Sequence, residues 1–480
     1  MNCCPKISFE KRAIIALLTL FVTRAAGMFL IPLNETTEAR YGEMARKMLE
    51  KNDWVTLWHD YGVPFLAKPP LYAWLSAASM GLFGVTEFAV RLPSLLLSIG
   101  MLALVGYTAL RRNGKDGALV AMLVLAGCPG FFVAAGTVMT DPSLVFCVTL
   151  TLLSFWHALH DDQKDRLWSY LFFAACGLGL LSKGPVALVL AGLPVFFWVL
   201  IRKEWKNLWQ KLPWVTGSLL TLAIALPWYA LAEIRNPGFL QYFLIGENIS
   251  RFLDPHWKGD RYGFAHAYPY GMIWLFVVAG LLPWGLVALR WVRSRFADMD
   301  GWLLFLILWC VTSPIFFTFA ANIIWPYCLI MQPGFALLFA ELSLRGKNSY
   351  QKYVPVLALL TALAGAVVIT VFTVAPQSVA EDEKGIIAAW KATNPAPDSK
   401  LIFWSNRMEF SAAFYSGGRA QSTVQPGLPL LLLKNKTRDC IIAYDYNTAF
   451  LPMEVLETFG KVASVTNKRG TTVLFCEAAH

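Results

Sequence analysis

The run VPVLALLTALAGAVVITVFTVA, residues 354–375, contains no charged side chain. A membrane-spanning helix needs about 20 predominantly apolar residues, so this run is long enough to cross a bilayer. Similar runs recur along the chain, and we identify about eleven candidate spans. They lie near residues 13–31, 88–110, 117–136, 141–160, 167–181, 184–201, 213–232, 268–289, 302–320, 323–344 and 354–375. The sequence therefore predicts an all-α polytopic membrane bundle.

The composition of the 480-residue chain agrees with this prediction. Hydrophobic residues make up 57% and charged residues 15%, whereas a soluble protein has about 45–50% apolar and about 25% charged residues. A water-soluble protein and a disordered chain are both disfavoured. The net charge of +10 would indicate nucleic acid in a soluble protein. In a membrane protein, cytoplasmic loops explain the same excess, so we expect no nucleic-acid partner.

Lys and Arg are concentrated in the N-terminal tail and in short linkers between spans. These segments are residues 6–12, 111–115, 164–166, 202–211, 290–295 and 345–352. With eleven spans and a cytoplasmic N-terminus, all six lie on the cytoplasmic side, as the positive-inside rule requires. This predicts a multi-pass protein of the bacterial inner membrane whose C-terminal segment lies in the periplasm.

The longest polar segments fall on the opposite, periplasmic side. We expect residues 1–375 to form the transmembrane domain, with large periplasmic loops at 32–87 and 233–267. In the tail, residues 376–480, helical patterns alternate with short apolar runs, which predicts a small α/β domain. The runs are 401–404, 430–433, 440–444 and 472–476.

Two cysteines, Cys440 and Cys476, begin and end strand-like runs of this tail. An oxidising compartment permits a disulfide between them. The sequence does not show whether the two strands are neighbours, so the pairing stays open.

Ionisable residues beside a span on the periplasmic side are candidates for chemistry. Lys68 precedes two prolines and could fix a phosphate as a point charge, or it could be an interfacial lysine. Glu38 and Asp141 could act in catalysis, or could be an N-terminal helix charge and a helix cap. Arg251 could bind an anionic group or be an ordinary interfacial arginine.

Taken in order, several motifs together resemble a known family. They include Glu38-Ala39-Arg40-Tyr41-Gly42-Glu43, Lys68-Pro69-Pro70-Leu71, Arg91-Leu92-Pro93-Ser94, Thr140-Asp141, Ser182-Lys183-Gly184-Pro185 and Gly246-Glu247-Asn248 with Arg251-Phe252. The set resembles the bacterial membrane glycosyltransferases that include the lipid A aminoarabinose transferases. These are relatives of the protein O-mannosyltransferases, in the C-type glycosyltransferase superfamily. The resemblance covers about residues 13–345, and the tail only in outline.

The resemblance implies a periplasmic active site and a polyprenyl (undecaprenyl) phosphate sugar donor. It also implies an acceptor such as lipid A or another lipopolysaccharide component. By matching motifs, it assigns catalytic carboxylates to Glu38 and Asp141. It assigns binding of the donor phosphate to Lys68, Arg251 and Tyr327. We expect further substrate contacts from Arg40, Tyr41, Glu43 and His256, and contacts with membrane lipids around the bundle.

Three positions depart from the family pattern. Thr37 replaces the first acid of the pair before Arg40. Ala67 replaces the Glu that often precedes the lysine of the Lys-Pro-Pro motif, and Asn248 replaces a His. The Glu and His that Ala67 and Asn248 replace could serve as a metal pair in some members. No metal ligand is therefore predicted here, and no cofactor is assigned. The tail is also shorter than expected for the aminoarabinose enzymes, so the sugar stays unassigned.

The implied reaction is a single inverting displacement at the anomeric carbon of the sugar. Cations would stabilise the phosphate that leaves, and a hydroxyl acceptor would need a carboxylate as base. Two alternatives stay open. One is a protein O-glycosyltransferase of the same superfamily. The other is a lipid or sugar transporter or flippase, which would show inverted repeats; none is apparent in the sequence.

Overall fold

The computed structural model describes residues 8–161, 166–254, 256–263, 266–295, 299–345, 350–424 and 437–478, with backbone alone for 290–295. The strand-like run at 430–433 lies outside the described residues. So do residues 164 and 165 of the basic segment 164–166. The same holds for residues 6 and 7 of the basic N-terminal tail, whereas residues 8–12 are described.

Helices dominate the fold. In chain order they are α1 (Phe9–Leu30), α2 (Thr37–Lys51), α3 (Leu71–Phe83), α4 (Glu87–Ala126), α5 (Pro129–Ala134), α6 (Asp141–His160), α7 (Leu167–Lys183), α8 (Pro185–Arg202), α9 (Trp205–Lys211), α10 (Trp214–Arg235), α11 (Arg251–Leu253), α12 (Met272–Gly280), α13 (Trp284–Arg295), α14 (Gly301–Thr318), α15 (Gln332–Leu344), α16 (Tyr350–Val374), α17 (Pro376–Val379), α18 (Lys384–Ala392), α19 (Phe410–Ser416) and α20 (Met453–Thr458). A π-helix covers Gln241–Ser250, and 3₁₀-helices cover Trp325–Met331 and Asp445–Phe450.

Within the described residues, eight helical segments are long and apolar enough to cross a membrane. These are α1, α4, α6, α8, α10, α14, the segment Trp325–Leu344 and α16. Helix α4 joins two of the predicted spans, which meet at Gly114, where φ is +70°. The predicted span 268–289 is divided between α12 and α13. The predicted all-α membrane bundle is confirmed, whereas the count of eleven stays a prediction.

The outer surface of the bundle is apolar, as a lipid environment requires. On α10, large exposed hydrophobic side chains recur at helical spacing along one side. They are Val215, Leu219, Leu222 and Leu226. Inside the bundle, α1 packs against α4 and α16, α4 against α15, and α6 against α7. Burial on one side and exposed apolar residues on the other fit helices that face lipid.

The C-terminal region contains a five-stranded mixed sheet, in agreement with the predicted α/β tail. The two-stranded hairpin of the first loop comprises β1 (Trp58–Asp60) and β2 (Val63–Pro64). The C-terminal strands are β3 (Leu401–Trp404), β4 (Ala420–Thr423), β5 (Cys440–Tyr444), β6 (Phe459–Asn467) and β7 (Gly470–Glu477). Their order is β4-β3-β5-β7-β6; β3 is parallel to β4 and β5, and β7 is antiparallel to β5 and β6.

A disulfide joins Cys440 to Cys476. The two residues are opposite each other in the antiparallel pair formed by β5 and β7. The sequence left this pairing open; the structure shows it, and the neighbouring positions of β5 and β7 supply the reason for it.

The C-terminal sheet region packs on the chain segment that leads into α2. The backbone N–H of Glu35 donates to the Glu381 carbonyl at 2.8 Å, and that of Leu33 donates to the Tyr415 hydroxyl at 2.7 Å. The Ser411 backbone N–H donates to the Glu35 carboxylate. These contacts fix the start of the first loop, from which several of the predicted site residues project.

Candidate active site

A charged cluster joins the two long loops that were predicted to lie in the periplasm. Lys68 Nζ lies 3.0 Å from a carboxylate oxygen of Glu247, and Arg251 lies 3.2 Å from both oxygens of the same group. Arg251 also lies 3.3 Å from Asp260. One carboxylate thus gathers the two cations that the resemblance assigned to the donor phosphate.

Local structure explains this geometry. The Pro69-Pro70 pair directly precedes α3, and the proline that follows Lys68 restricts the backbone conformation of that residue. Glu247 and Arg251 are four residues apart on a continuous helical stretch, so their side chains share one side of it. Burial alone would raise the pKa of Glu247, but Lys68 and Arg251 outweigh this effect and the pKa is lowered. The carboxylate is therefore ionised at neutral pH.

Tyr327 lies beside this cluster and beside a second ion pair. Lys183 Nζ is 2.6 Å from the carboxylate of Asp141 and 4.9 Å from the centre of the Tyr327 ring. Burial lowers the pKa of Arg251, but the neighbouring acids and the phenol of Tyr327 outweigh this, and the pKa is raised. Lys68 and Arg251 therefore share one carboxylate, whereas Tyr327 lies within electrostatic reach of Arg251 and directly beside the Asp141–Lys183 pair.

Asp141 itself begins α6, as predicted, but it is not the cap residue of this helix, which is Thr140. The Asp141 carboxylate accepts the hydrogen bond of Lys183 at the end of α7, and both side chains are at most one tenth exposed. A buried pair of this kind fixes the ends of two helices relative to each other.

Glu38, the other predicted catalytic carboxylate, is held by Arg91. The Nε and one terminal nitrogen of Arg91 lie 3.1 and 2.8 Å from the two Glu38 oxygens. The Val138 backbone N–H donates to the same carboxylate at 2.9 Å. Both oxygens of the Glu38 carboxylate are therefore occupied by hydrogen-bond donors. The catalytic role of Glu38 stays a prediction, and these contacts favour a structural one.

The four predicted substrate contacts are placed differently from one another. Arg40 donates to the Tyr262 carbonyl at 3.1 Å, and its guanidinium lies 5.3 Å from the centre of the Tyr41 ring. Glu43 is fully buried and accepts two hydrogen bonds from Arg46. His256 is exposed on the second loop. Arg40 is partly exposed and compatible with substrate contact, whereas the burial of Tyr41 and Glu43 favours structural roles.

The two positions that form a metal pair in some family members do not fit a metal here. Ala67 has no ligand atom in its side chain, and the Asn248 amide donates to the Phe243 carbonyl at 2.7 Å. In the described part of the chain, no group of three His, Cys, Asp or Glu side chains could hold a metal ion. We therefore derive no step through a metal.

Comparison with known proteins identifies the family of this chain. Residues 13–243 match the model of the dolichyl-phosphate-mannose-protein mannosyltransferase family. The undecaprenyl phosphate-alpha-4-amino-4-deoxy-L-arabinose arabinosyl transferase of Yersinia enterocolitica is 31% identical over 343 residues, which is 68% of this chain and 58% of that protein. Its counterpart in Serratia proteamaculans is 30% identical over 65% of this chain and 56% of its own length. The predicted family is confirmed.

A solved structure extends the likeness to nearly the whole chain. ArnT from Cupriavidus metallidurans bound to undecaprenyl phosphate aligns with a TM-score of 0.80 and 20% identity, over 98% of this chain and 97% of that one. The chain spans less than two thirds of the length of the two curated relatives above. With the apolar helices, family membership makes this a multi-pass protein of the bacterial inner membrane.

Three residues of the site were present in the motifs of this family but had no predicted role. They are Arg91, Lys183 and Glu247, and each is the partner of a residue that did have one. The four-residue spacing of Glu247 and Arg251 was the one local signal for any of these pairs. The other partners come from separate helices or loops.

Proposed function

We propose that this chain is a glycosyltransferase that moves a sugar from an undecaprenyl phosphate donor to a periplasmic acceptor. The acceptor in this proposal is lipid A or another component of lipopolysaccharide. One observation carries the proposal: Lys68 and Arg251, from two separate loops, converge on one carboxylate beside Tyr327. The curated relatives are arabinosyl transferases that use undecaprenyl phosphate, by their names.

The chemistry follows from where charge develops. The bond between the anomeric carbon and the phosphate oxygen breaks, and its electron pair goes to the phosphate. The acceptor oxygen attacks from the opposite side, so the configuration inverts. Fixed cations stabilise the leaving phosphate. Lys68 would act as a point charge and Arg251 as a planar fork with two donors.

The carboxylates help to choose between acceptors. A protein hydroxyl needs a base to take its proton, but both predicted bases already hold a cation: Glu38 holds Arg91 and Asp141 holds Lys183. A lipid phosphate is already anionic and needs no base. The pairing therefore favours a phosphate acceptor, as in lipid A, over protein O-glycosylation. The transporter alternative has no comparable support, because the charged residues of the site gather in one region.

We further propose that the N-terminus lies in the cytoplasm and that residues 376–480 form a periplasmic domain. The Lys and Arg distribution supports this orientation. The disulfide between Cys440 and Cys476 supports it independently, because disulfides persist in oxidising compartments such as the periplasm. Labelling of single introduced cysteines from each side of the membrane would test it.

The function is tested with purified full-length chain in detergent. The donor is undecaprenyl phosphate carrying 4-amino-4-deoxy-L-arabinose, and the acceptor is lipid A. We expect Lys68→Met and Arg251→Met each to lower turnover about 100-fold, the usual loss when a transition-state charge partner is removed. Lys258→Met, an exposed change on the same loop as Arg251, serves as the control.

Cells with and without the gene provide the second arm, read by mass spectrometry of lipid A. Loss of a pentosamine- or hexosamine-sized addition supports the proposed acceptor, and an unchanged spectrum argues for another one. Turnover within a few-fold of the wild type in both Met variants would contradict the phosphate role.

A further inference from the structure

The carboxylate of Glu247 occupies the place between the two cations of the site. Its side chain is 3% exposed, whereas those of Lys68 and Arg251 are each 21% exposed. The Tyr242 hydroxyl donates to it at 3.3 Å and holds it from the side. An incoming anion therefore meets the nitrogens of the two cations first, with Glu247 behind them.

The charges of this cluster balance without a ligand. Two cations, Lys68 and Arg251, face two acids, Glu247 and Asp260. A phosphate that binds here competes with those acids for the same N–H donors. Its affinity is therefore lower than two unpaired cations would give.

The balance between the two cations and the two acids matters most after the reaction. The sugar donor is a phosphodiester with one negative charge. Breaking its bond to the sugar leaves a phosphate monoester, whose second ionisation has a pKa of about 6, so it carries nearly two charges at neutral pH. Two cations alone would bind this product more tightly than the donor and would slow its release. The neighbouring carboxylate of Glu247 reduces this difference in affinity between the product and the donor.

We propose that Glu247 is a positioning residue that acts as an exchangeable counter-ion. It holds Lys68 and Arg251 in place before the donor binds, and it takes them back as the lipid phosphate leaves. This proposal rests on the proposed function, because it presumes that the two cations bind the donor phosphate.

A purely structural role makes the opposite prediction. If Glu247 only oriented the cations, its loss would let them move apart and would weaken phosphate binding. If it competes with phosphate, its loss strengthens binding. The sign of the change in affinity thus separates the two roles.

The test uses the full-length chain in detergent with undecaprenyl phosphate as the probe. We expect Glu247→Gln to lower the dissociation constant of undecaprenyl phosphate about twofold to fivefold, the scale of one partly exposed charge pair. The kcat should fall while KM for the donor does not rise, and inhibition by the product should become stronger. Glu247→Asp should restore most of the wild-type kcat.

Two further variants make the outcome decisive. Asp260→Asn removes the other acid beside Arg251 and should shift affinity in the same direction, even if Glu247→Gln fails to fold. Asp254→Asn removes one exposed charge from the same loop and should leave affinity unchanged. Weaker or unchanged phosphate binding in both Glu247→Gln and Asp260→Asn would overturn the proposal.

Failure of this proposal is distinguishable from failure of the proposed function. If Lys68→Met binds undecaprenyl phosphate and turns over as the wild type does, the phosphate site itself is wrong. If Lys68→Met loses both while neither Glu247→Gln nor Asp260→Asn gains affinity, the function stands and the counter-ion role is wrong.

Discussion

Arg91 gives the sharpest test of what Glu38 does. Its side chain is 2% exposed, and it donates to both oxygens of Glu38. It also donates to the carbonyls of Met28, Ile31 and Pro32 at the end of α1. One guanidinium therefore joins the end of the first span, the start of α2 and the start of α4. We predict that Arg91→Met destabilises the whole fold.

The magnitude follows from these contacts. Removing one partner of a buried ion pair costs about 3–5 kcal/mol, because the other charge remains buried and unpaired. The three carbonyls lose a donor as well, although water can replace part of it at the bundle surface. We expect Arg91→Met to lower the free energy of unfolding by about 3–5 kcal/mol. Adding Glu38→Gln should recover part of this loss, because a neutral amide costs less to bury than a carboxylate.

The assay is unfolding by SDS in mixed micelles, followed by tryptophan fluorescence. Arg111→Met is the control, because Arg111 is 55% exposed and lies 3.8 Å from its partner Asp161. Exposed pairs contribute about 0–1 kcal/mol. If Arg91→Met unfolds at the same SDS concentration as the wild type, the structural interpretation is refuted. If Glu38→Gln keeps full stability and loses turnover about 100-fold, Glu38 acts in catalysis after all.

Three further predictions concern the second ion pair and the C-terminal region. Asp141→Asn should lower donor turnover at least about tenfold, because Lys183 loses its buried counter-ion and its place beside Tyr327. Burial raises the pKa of Glu383 to about 8. A raised carboxyl pKa means that stability is full below the unfolded value of about 4.5 and is lost as pH rises through about 8. Thermal unfolding of the C-terminal sheet, measured from pH 5 to pH 8, should therefore move to lower temperature, and Glu383→Gln should flatten this profile. Reduction of the disulfide, whose cysteines are 36 residues apart, should cost the same region about 3–4 kcal/mol in denaturant unfolding.

Each of these has an outcome that contradicts it. Wild-type turnover in Asp141→Asn would mean that Lys183 is placed by its other contacts. If the sheet of the wild-type protein unfolds at the same temperature across the pH range, the pKa of Glu383 does not differ between the folded and unfolded states. Equal stability of the oxidised and reduced protein would leave the disulfide without an energetic role in the sheet.

The sequence predicted the bundle well because apolar length is a local property. A run such as 354–375 needs no partner to be recognised, and α16 indeed covers Tyr350–Val374. The span count was harder, since it depends on where helices break. Gly114 bends α4 through a left-handed residue, and the predicted span 268–289 is divided near Leu281. Such breaks depend on tertiary packing and leave a weak mark on hydropathy.

Most ion pairs of the site could not be predicted from the sequence, because they too depend on tertiary packing. Lys68 and Glu247 are 179 residues apart, Glu38 and Arg91 are 53 apart, and Asp141 and Lys183 are 42 apart. No periodicity connects positions at these separations. The motif positions were predicted through the family resemblance, but which acid meets which base is decided by how helices and loops pack. Glu247 and Arg251 are the exception, because four residues is one helical turn.

The C-terminal region affects the site without supplying any of its predicted residues. Glu35 and Glu38 are three residues apart at the start of α2. Glu35 accepts a hydrogen bond from Ser411 of the C-terminal region, while Glu38 binds Arg91 of the bundle. The start of α2 is therefore held from both sides, and Arg40 and Tyr41 follow directly on the same helix. A change in the C-terminal region that displaced Ser411 would shift this helix relative to the bundle. Such a shift would displace Arg40 and Tyr41 first. Lys68 and Arg251 would be less affected, because Glu247 holds them.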